Sequence, residues 1–317
     1  MRFNRHKRSV ELSLEPEEDW IQVNQEDCSL ETMDVAEARP RGANSNVYRC
    51  VDAEGNHPYV VKFCRYSLNT RADWQLRRIR RFEREIEALK LARDSEFSDC
   101  VIRIVDDGIL RIPSIPQGPR ARAGTDQVRY YVMERADSDL TTFLRQNELT
   151  FPQKISLCSE LVTILASLHA LGIYHRDVKA DNILMKAGRL LFGDLGLINF
   201  RNQDQDLDED YERIGPVGLL SPEATNKCLG LRSKPSFLFD CWIDEKSDVF
   251  QLGQVFWLIL QDEVPTGHLS EADVRFPQVA VLSDVLHPML QYGKARRASL
   301  AEVGLALQPV LRVTALI

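Results

Sequence analysis

Apolar and polar positions follow two periods along this chain. Between residues 36 and 66 the runs NVYRCVDAEG and YVVKFC are β-rich. The turn signal Glu54-Gly55-Asn56 lies between them, so a pair of strands is predicted. Over residues 73–93 the pattern changes: Leu76, Ile79, Phe82, Ile86 and Leu89 recur at spacings of three and four, which puts them on one stripe of a long helix. CVIRIVDDGIL (100–110) and VRYYVMER (128–135) predict two further strands. The segment RIPSIPQGPRARAGTDQ between them is rich in Pro, Gly and Arg and predicts an exposed loop. Beyond residue 139 the helical period dominates. Residues 155–173 carry apolar side chains at 157, 161, 164, 165, 168 and 171, and residues 247–262 are apolar on nearly every side, as a buried central helix must be. Residues 1–35 read as an N-terminal tail: a basic tip, then an acidic, apolar-poor stretch in which only DWIQVN (19–24) suggests a strand. No internal repeat is evident.

Composition narrows the class. The 317 residues are 44% hydrophobic and 27% charged, which excludes a disordered polyelectrolyte or a collagen-like fibre. Lys and Arg number 40 against 47 Asp and Glu, a net charge of −7, a poor balance for broad nucleic-acid binding. The seven Cys are widely spaced with no C-x-x-C, which argues against a disulfide framework or structural zinc and for reduced thiols in a cytoplasmic protein. No apolar run approaches the ~20 residues needed to cross a bilayer.

The densest chemical signal is His175-Arg176-Asp177-Val178-Lys179-Ala180-Asp181-Asn182, with Asp194-Leu195-Gly196 beginning twelve residues after Asn182. Phosphoryl transfer needs this kind of set: a base for the attacking hydroxyl, a cation by the transferred group, and metal ions to neutralise phosphate charge. Asp177 suits the first role and Lys179 the second. Asn182 and Asp194 offer the hard oxygen ligands that Mg²⁺ prefers.

These residues resemble the signature of the eukaryotic-like protein kinase superfamily, with a Ser/Thr-type catalytic loop. The resemblance covers about residues 36–313 and extends to other elements in the family's order. Tyr59-Val60-Val61-Lys62 is similar to the strand whose Lys holds the α/β-phosphates, and Glu85 to its ion-pair partner on the long helix. Glu134-Arg135-Ala136 resembles the hinge that reads adenine, with Met133 guarding the rear pocket. Ser221-Pro222-Glu223, Asp248 and Arg297 resemble structural elements of the family: the close of the activation segment, the anchor of the central helix, and the buried partner of Glu223. The resemblance implies an α+β, two-lobed fold. A small β-sheet N-lobe with one long helix (about 36–133) precedes a hinge (about 134–139) and a larger, mainly helical C-lobe (about 140–313). It implies ATP and Mg²⁺ or Mn²⁺ as cofactors and a protein as substrate. Gly42, Val47, Val60, Lys62, Glu85, Met133, Glu134, Ala136 and Leu184 would line the nucleotide, Asp177, Lys179 and Asn182 would be catalytic, and Asn182 and Asp194 would hold metal.

The chain also departs from the family. Of three glycines expected in the phosphate-covering loop only Gly42 stands. The segment 197–220 has no Ser or Thr; Tyr211 is its only hydroxyl, beside the acidic Asp204, Asp206, Asp208, Glu209, Asp210 and Glu212. One reading is that this acidic run replaces an activating phosphate as the partner of Arg176, helped by Arg77, Arg78 and Arg81; the other is a solvated loop. Lys179 points to Ser/Thr specificity, whereas Pro216-Val217 resembles Tyr kinases. The stretch between Glu223 and Asp248, residues 224–247, is long and could be a partner dock. A pseudokinase-type scaffold or nucleotide switch is the alternative to an active kinase, and a small-molecule kinase is a third reading that Glu223, Asp248 and Arg297 disfavour.

Overall fold

The computed structural model describes residues 1–13, 19–33, 45–116, 124–203, 207–231, 238–265, 267 and 269–314. The chain divides into two compact units, one of residues 1–94 and 102–135, the other of 95–101 and 136–317.

The first unit is a sheet with one long helix. Strands β1 (Arg2–Asn4) and β2 (Ser9–Glu11) form a separate hairpin. Strands β3 (Trp20–Val23), β4 (Glu26–Thr32), β5 (Ser45–Val51), β6 (Tyr59–Ser67), β7 (Ile104–Pro113) and β8 (Thr125–Glu134) make an antiparallel sheet in the order β3-β4-β5-β6-β8-β7. The turn between β5 and β6 forms where Glu54-Gly55-Asn56 signalled it. Gly55 has φ +82°, which favours glycine, and the Asp52 carboxylate accepts from the Glu54 and Asn56 amides. Helix α1 (Asp73–Arg93) buries Ile79, Phe82, Ile86 and Leu89, four of the five predicted stripe residues. The hairpin β7–β8 runs further than expected, to Pro113 and from Thr125, so the exposed loop begins later. Ile112, 4% exposed, joins the core and draws these ends into the ladder.

Residues 1–35 are not an appendage where the structure describes them. Phe3, Val10, Ile21, Val23, Cys28 and Leu30 are all buried, in one core cluster with Val61, Phe63, Val128 and Val132. The strand suggested by DWIQVN forms as β3, and the rest of the segment looked apolar-poor because its strands set few buried residues among solvated ones. Polar contacts fix the same segment. Arg5 Nε and Nη2 donate to the buried Asp126 carboxylate at 2.9 and 3.2 Å, and Ser67 Oγ and Ser114 Oγ donate to it at 2.7 and 2.5 Å. Burial raises the Asp126 pKa, but these donors outweigh burial and hold it below the usual carboxylate range. The Tyr48 hydroxyl donates to the Val10 carbonyl.

The second unit is mainly helical. Helices α2 (Leu140–Gln146), α3 (Phe151–Ala170), α4 (Pro222–Cys228), α5 (Glu245–Gln261), the short α6 (His287–Met289) and α7 (Leu300–Thr314) are joined by the two-residue strands β9 (Ser138–Asp139), β10 (Ile173–Tyr174) and β13 (Asn199–Phe200) and the hairpin β11 (Ile183–Lys186) with β12 (Arg189–Phe192). Helix starts follow capping chemistry. Thr150 with Gln153 and Asp244 with Ser247 form reciprocal capping boxes, and Ser221 caps α4 ahead of Pro222. Helix α5 is buried on nearly all sides, as its unbroken apolar pattern requires, and packs with α3 in the unit's interior.

If the first 35 residues are core, Phe3→Ala should lower unfolding free energy by about 3–5 kcal/mol and Ile21→Ala by about 2–5 kcal/mol. Urea denaturation of the full chain measures both; a dispensable tail would leave each within ~0.5 kcal/mol of the parent.

Candidate active site

In the first unit, β5, β6 and β8 set one face of the sheet by register. Val47 pairs with Lys62, Lys62 with Tyr131, and Val60 with Met133. Opposed residues in an antiparallel ladder point to the same side, so Val47, Val60, Lys62, Tyr131 and Met133 share a face. Helix α1 brings Glu85 to Lys62, with Nζ 2.8 Å from Oε1 and side chains only 7% and 2% exposed. The Tyr131 hydroxyl donates to the same Oε1 at 3.0 Å. A buried ammonium is tolerable only with such a partner, and the carboxylate's second donor fixes the pair's geometry. Tyr131 was missed in the sequence; its signal is the cross-strand register with Lys62. Glu134 ends β8, its amide bonded to the Arg103 carbonyl at 3.0 Å, and Ala136 begins the second unit. Gly42 and residues 40–44 of the phosphate-covering loop lie outside the described residues.

In the second unit the segment 175–182 joins β10 to β11. Its backbone is held by α5: Asp248 Oδ2 accepts from the His175 amide at 2.7 Å and Oδ1 from the Arg176 amide at 2.6 Å. His169 Nε2 lies 2.9 Å from the same carboxylate, in a contact whose donor depends on tautomer. One turn on, Gln251 Oε1 accepts from the Val178 amide at 2.8 Å and its Nε2 donates to the Arg176 carbonyl at 3.2 Å. Asp248 was expected as an anchor; His169 and Gln251 were not singled out, although Gln251 stands out as a polar residue amid an apolar helix. Arg176 has φ +66° and Asp194 φ +45°, left-handed conformations that non-glycine residues adopt only where surroundings compel them.

The clamp aims Asp177. Its Oδ2 accepts from Lys179 Nζ at 2.9 Å and from Asn182 Nδ2 at 2.8 Å, while Asn182 Nδ2 also reaches the Asp177 carbonyl at 2.9 Å. Asp177 Oδ1 is buried and accepts no hydrogen bond among the described residues. Burial pushes the Asp177 carboxyl above the ordinary carboxylate range against the pull of Lys179, and the nearby Asp194 charge raises it further. Burial likewise depresses the His175 pKa, so its ring is neutral near pH 7. That ring stacks edgewise on Phe192 and its Nδ1 faces the Asp177 amide at 3.3 Å. Gly193 bonds to the Asn182 carbonyl at 2.8 Å, and a side chain there would collide with Leu184 Cδ1, so glycine seats Asp194 beside the loop. Asp194, Asn182 and Asp177 offer two carboxylates and an amide of the hard-oxygen kind that suits Mg²⁺. Among the described residues no cluster of three or more His, Cys, Asp or Glu forms a metal cage.

The remaining predicted residues sit in two places. Arg297 and Glu223 form a two-pronged pair, Nη2 to Oε1 at 2.9 Å and Nη1 to Oε2 at 3.2 Å, with both side chains essentially unexposed. From the acidic segment, Asp208 Oδ2 lies 2.6 Å from Arg176 Nη2 and 2.9 Å from Lys227 Nζ, and its side chain is 4% exposed. Glu209 and Asp210 are exposed, and Asp204 and Asp206 lie outside the described residues. Lys227, on α4, was missed. In the 224–247 stretch, α4 takes the first residues and 232–237 are not described; Leu238, Phe239 and Trp242 are exposed.

The sequence model of the family described as "Protein kinase domain" matches residues 40–314. Among curated proteins, the chain is 27% identical over 278 residues to the dual specificity protein kinase Ttk of Danio rerio, covering 83% of this chain and 26% of that protein. It is 28% identical over 166 residues to the probable serine/threonine-protein kinase YbdM of Bacillus subtilis (51% and 56% of the two chains). It is 32% identical over 150 residues to the serine/threonine-protein kinase cds1 of Schizosaccharomyces pombe (46% and 31%). The chain spans about a quarter of the length of Ttk and just over half that of YbdM.

The buried pair of Glu223 and Arg297 makes a direct test of the second unit's packing. Glu223→Ala should destabilise by about 3–5 kcal/mol, since it strands a buried guanidinium. Arg297→Met should cost about as much, because it strands the buried Glu223 carboxylate, whereas the double replacement Glu223→Leu with Arg297→Met, which leaves no buried charge, should be milder than either. A double variant that loses as much as the two single variants together, read from thermal melts, would show that packing rather than charge governs the site.

Proposed function

The chain belongs to the protein kinase family, and on that premise we propose that it transfers the γ-phosphate of Mg-ATP to Ser or Thr hydroxyls of a protein. The observation that carries this reading is the Asp177 carboxylate. One oxygen is fixed by Lys179 and Asn182, and the other is buried and open to a donor. An acceptor hydroxyl donates to Oδ1 as its oxygen bonds to the γ-phosphorus and the bond to the bridging β–γ oxygen breaks. Asp177 takes the proton, and the Lys179 ammonium offsets charge on the transferring group. Lys62, locked by Glu85 and Tyr131, orients the α/β-phosphates. The Asn182 amide oxygen and the Asp194 carboxylate would hold Mg²⁺, which would supply neutralisation of phosphate charge. Lys179 beside the base favours Ser/Thr acceptors, and serine/threonine and dual specificity kinases both occur among the relatives. No helix of the described residues is long and apolar enough to cross a membrane.

Activation follows from Asp208. In many kinases a loop phosphate pairs with the Arg preceding the catalytic Asp. Here Arg176 already bonds to a buried carboxylate that Lys227 also grips, an interaction of the type that orders such a segment. We propose that the chain is active without loop phosphorylation.

Transfer of labelled γ-phosphate to a mixed protein acceptor should appear with the unphosphorylated chain and fall about 10²–10⁴-fold in Asp177→Asn. Nucleotide binding without transfer would instead favour a scaffold. Because the base must be ionised, kcat/KM should fall at acid pH through an inflection above the ordinary Asp value. Stability moves the other way. The folded state holds this proton more tightly than the unfolded, so the Asp177 contribution is present at low pH and is lost as pH rises through the raised value.

Asp208→Asn should cut kcat at least about tenfold, because the neutral amide no longer balances Arg176 and Lys227. An unchanged kcat in a variant that melts like the parent would mean the pair is structural.

A further inference from the structure

We propose that the first unit carries an anion pocket for a phosphate group, free or borne on a side chain, formed by the 5–8 turn of the N-terminal hairpin and the junction of β6 with α1. A cavity of about 320 Å³ opens there, with Arg5, Arg8, Arg65, Asn69, Thr70 and Gln75 in its lining. That volume is at the small end for ligand sites and suits a compact anion. None of these residues takes part in the transfer chemistry.

The pocket holds three guanidinium groups and one carboxylate, Asp126. That carboxylate is 1% exposed, and its two oxygens already take Arg5, Ser67 and Ser114. It balances Arg5 and has no oxygen left for another cation. Arg65 is fixed instead by neutral acceptors: its Nε and Nη2 donate to the carbonyls of Arg8 and Lys7 at 3.0 and 3.1 Å. These bonds aim the group without cancelling its charge. Arg8 has a left-handed backbone, φ 53°, and its guanidinium lies over the rings of Trp74 and Tyr66 at 5.3 and 6.0 Å. Those two rings meet edge to face at 5.5 Å, so the platform is itself fixed. Ring faces hold a guanidinium by its plane and leave the N–H edge for another acceptor. Among the described residues neither Arg8 nor Arg65 has a carboxylate partner: Lys7, their neighbour, takes Glu11, and Asp73 of the first turn of α1 does not line the cavity.

Two oriented, uncompensated guanidinium groups match a tetrahedral dianion, since each can offer parallel N–H donors to a pair of phosphate oxygens. Gln75 accepts from Thr70 Oγ1 at 2.5 Å through its amide oxygen, which leaves its NH₂ group to donate. The arrangement depends on residues 1–11 belonging to the folded unit, because the turn between β1 and β2 supplies two of the three arginines.

Trp74 touches Arg8 and so reports occupancy. Titrating the full chain at fixed ionic strength with inorganic phosphate, and separately with O-phosphoserine, should give a saturable fluorescence change with Kd below about 10 mM, and chloride none. Arg8→Gln and Arg65→Gln should each weaken binding at least about tenfold, and Arg65→Lys, which keeps the charge, should weaken it less. Lys62→Met should leave it intact, which separates this pocket from any nucleotide site. Calorimetry on Trp74→Phe checks binding when the reporter is gone. Tighter binding of O-phosphoserine would identify the ligand as a phosphorylated side chain; tighter binding of phosphate would identify a small free anion. Absence of saturation, parental affinity in the folded arginine variants, or loss of binding in Lys62→Met alone would overturn the proposal.

Discussion

The carboxylate of Asp248 is the contact on which the second unit's chemistry rests. It is wholly buried at the start of α5, where an ion is tolerated only if its lone pairs are used. They are used on the His175 and Arg176 amides and on the His169 ring. That requirement works in both directions: the helix cannot bury Asp248 without the loop, and the loop cannot hold the left-handed turn at Arg176 without the helix. Gln251 repeats the device one turn later. The precision of Asp177, whose open oxygen is the centre of the proposed transfer, is therefore borrowed from a rigid central helix rather than from the loop's own preferences.

The first unit solves a similar problem with a different pair. Lys62 and Glu85 are both almost fully buried, and the strand and helix that carry them are locked by their mutual need for a partner. Tyr131 supplies the carboxylate's second donor from across the sheet. The same logic recurs at Asp126, where four donors from the N-terminal turn, β6 and the β7–β8 hairpin converge on one carboxylate. In each case a buried charge fixes elements far apart in sequence, and beside Asp126 the guanidinium groups of Arg8 and Arg65 form the basis of the proposed anion pocket.

The acidic segment shows how selective such fixing is. Six carboxylates between residues 204 and 212 look alike in the sequence. Asp208 is drawn into the interior by Arg176 and Lys227, whereas Glu209 and Asp210 face solvent. A buried cation pair gives one carboxylate a strong environment and its neighbours a weak one.

Local order was readable from residues alone. The 3.6-residue stripe of α1, the apolar run of α5, the Gly55 turn and the tight spacing from His175 to Asn182 all depend on interactions within a few residues, and spacing records these directly. Of the strands in residues 1–35 only β3 was signalled, by DWIQVN; β1 and β2 were not, because three alternating positions are too short to stand out from solvated chain until a core is there to receive them. Nor could spacing select Tyr131 over other aromatics, Asp208 over its acidic neighbours, or join Arg5 to Asp126 across 121 positions. Those choices were made by the tertiary structure, since the cost of burying a charge is set by which donors the folded chain brings within about 3 Å of it, and proximity of that kind leaves no period in the sequence.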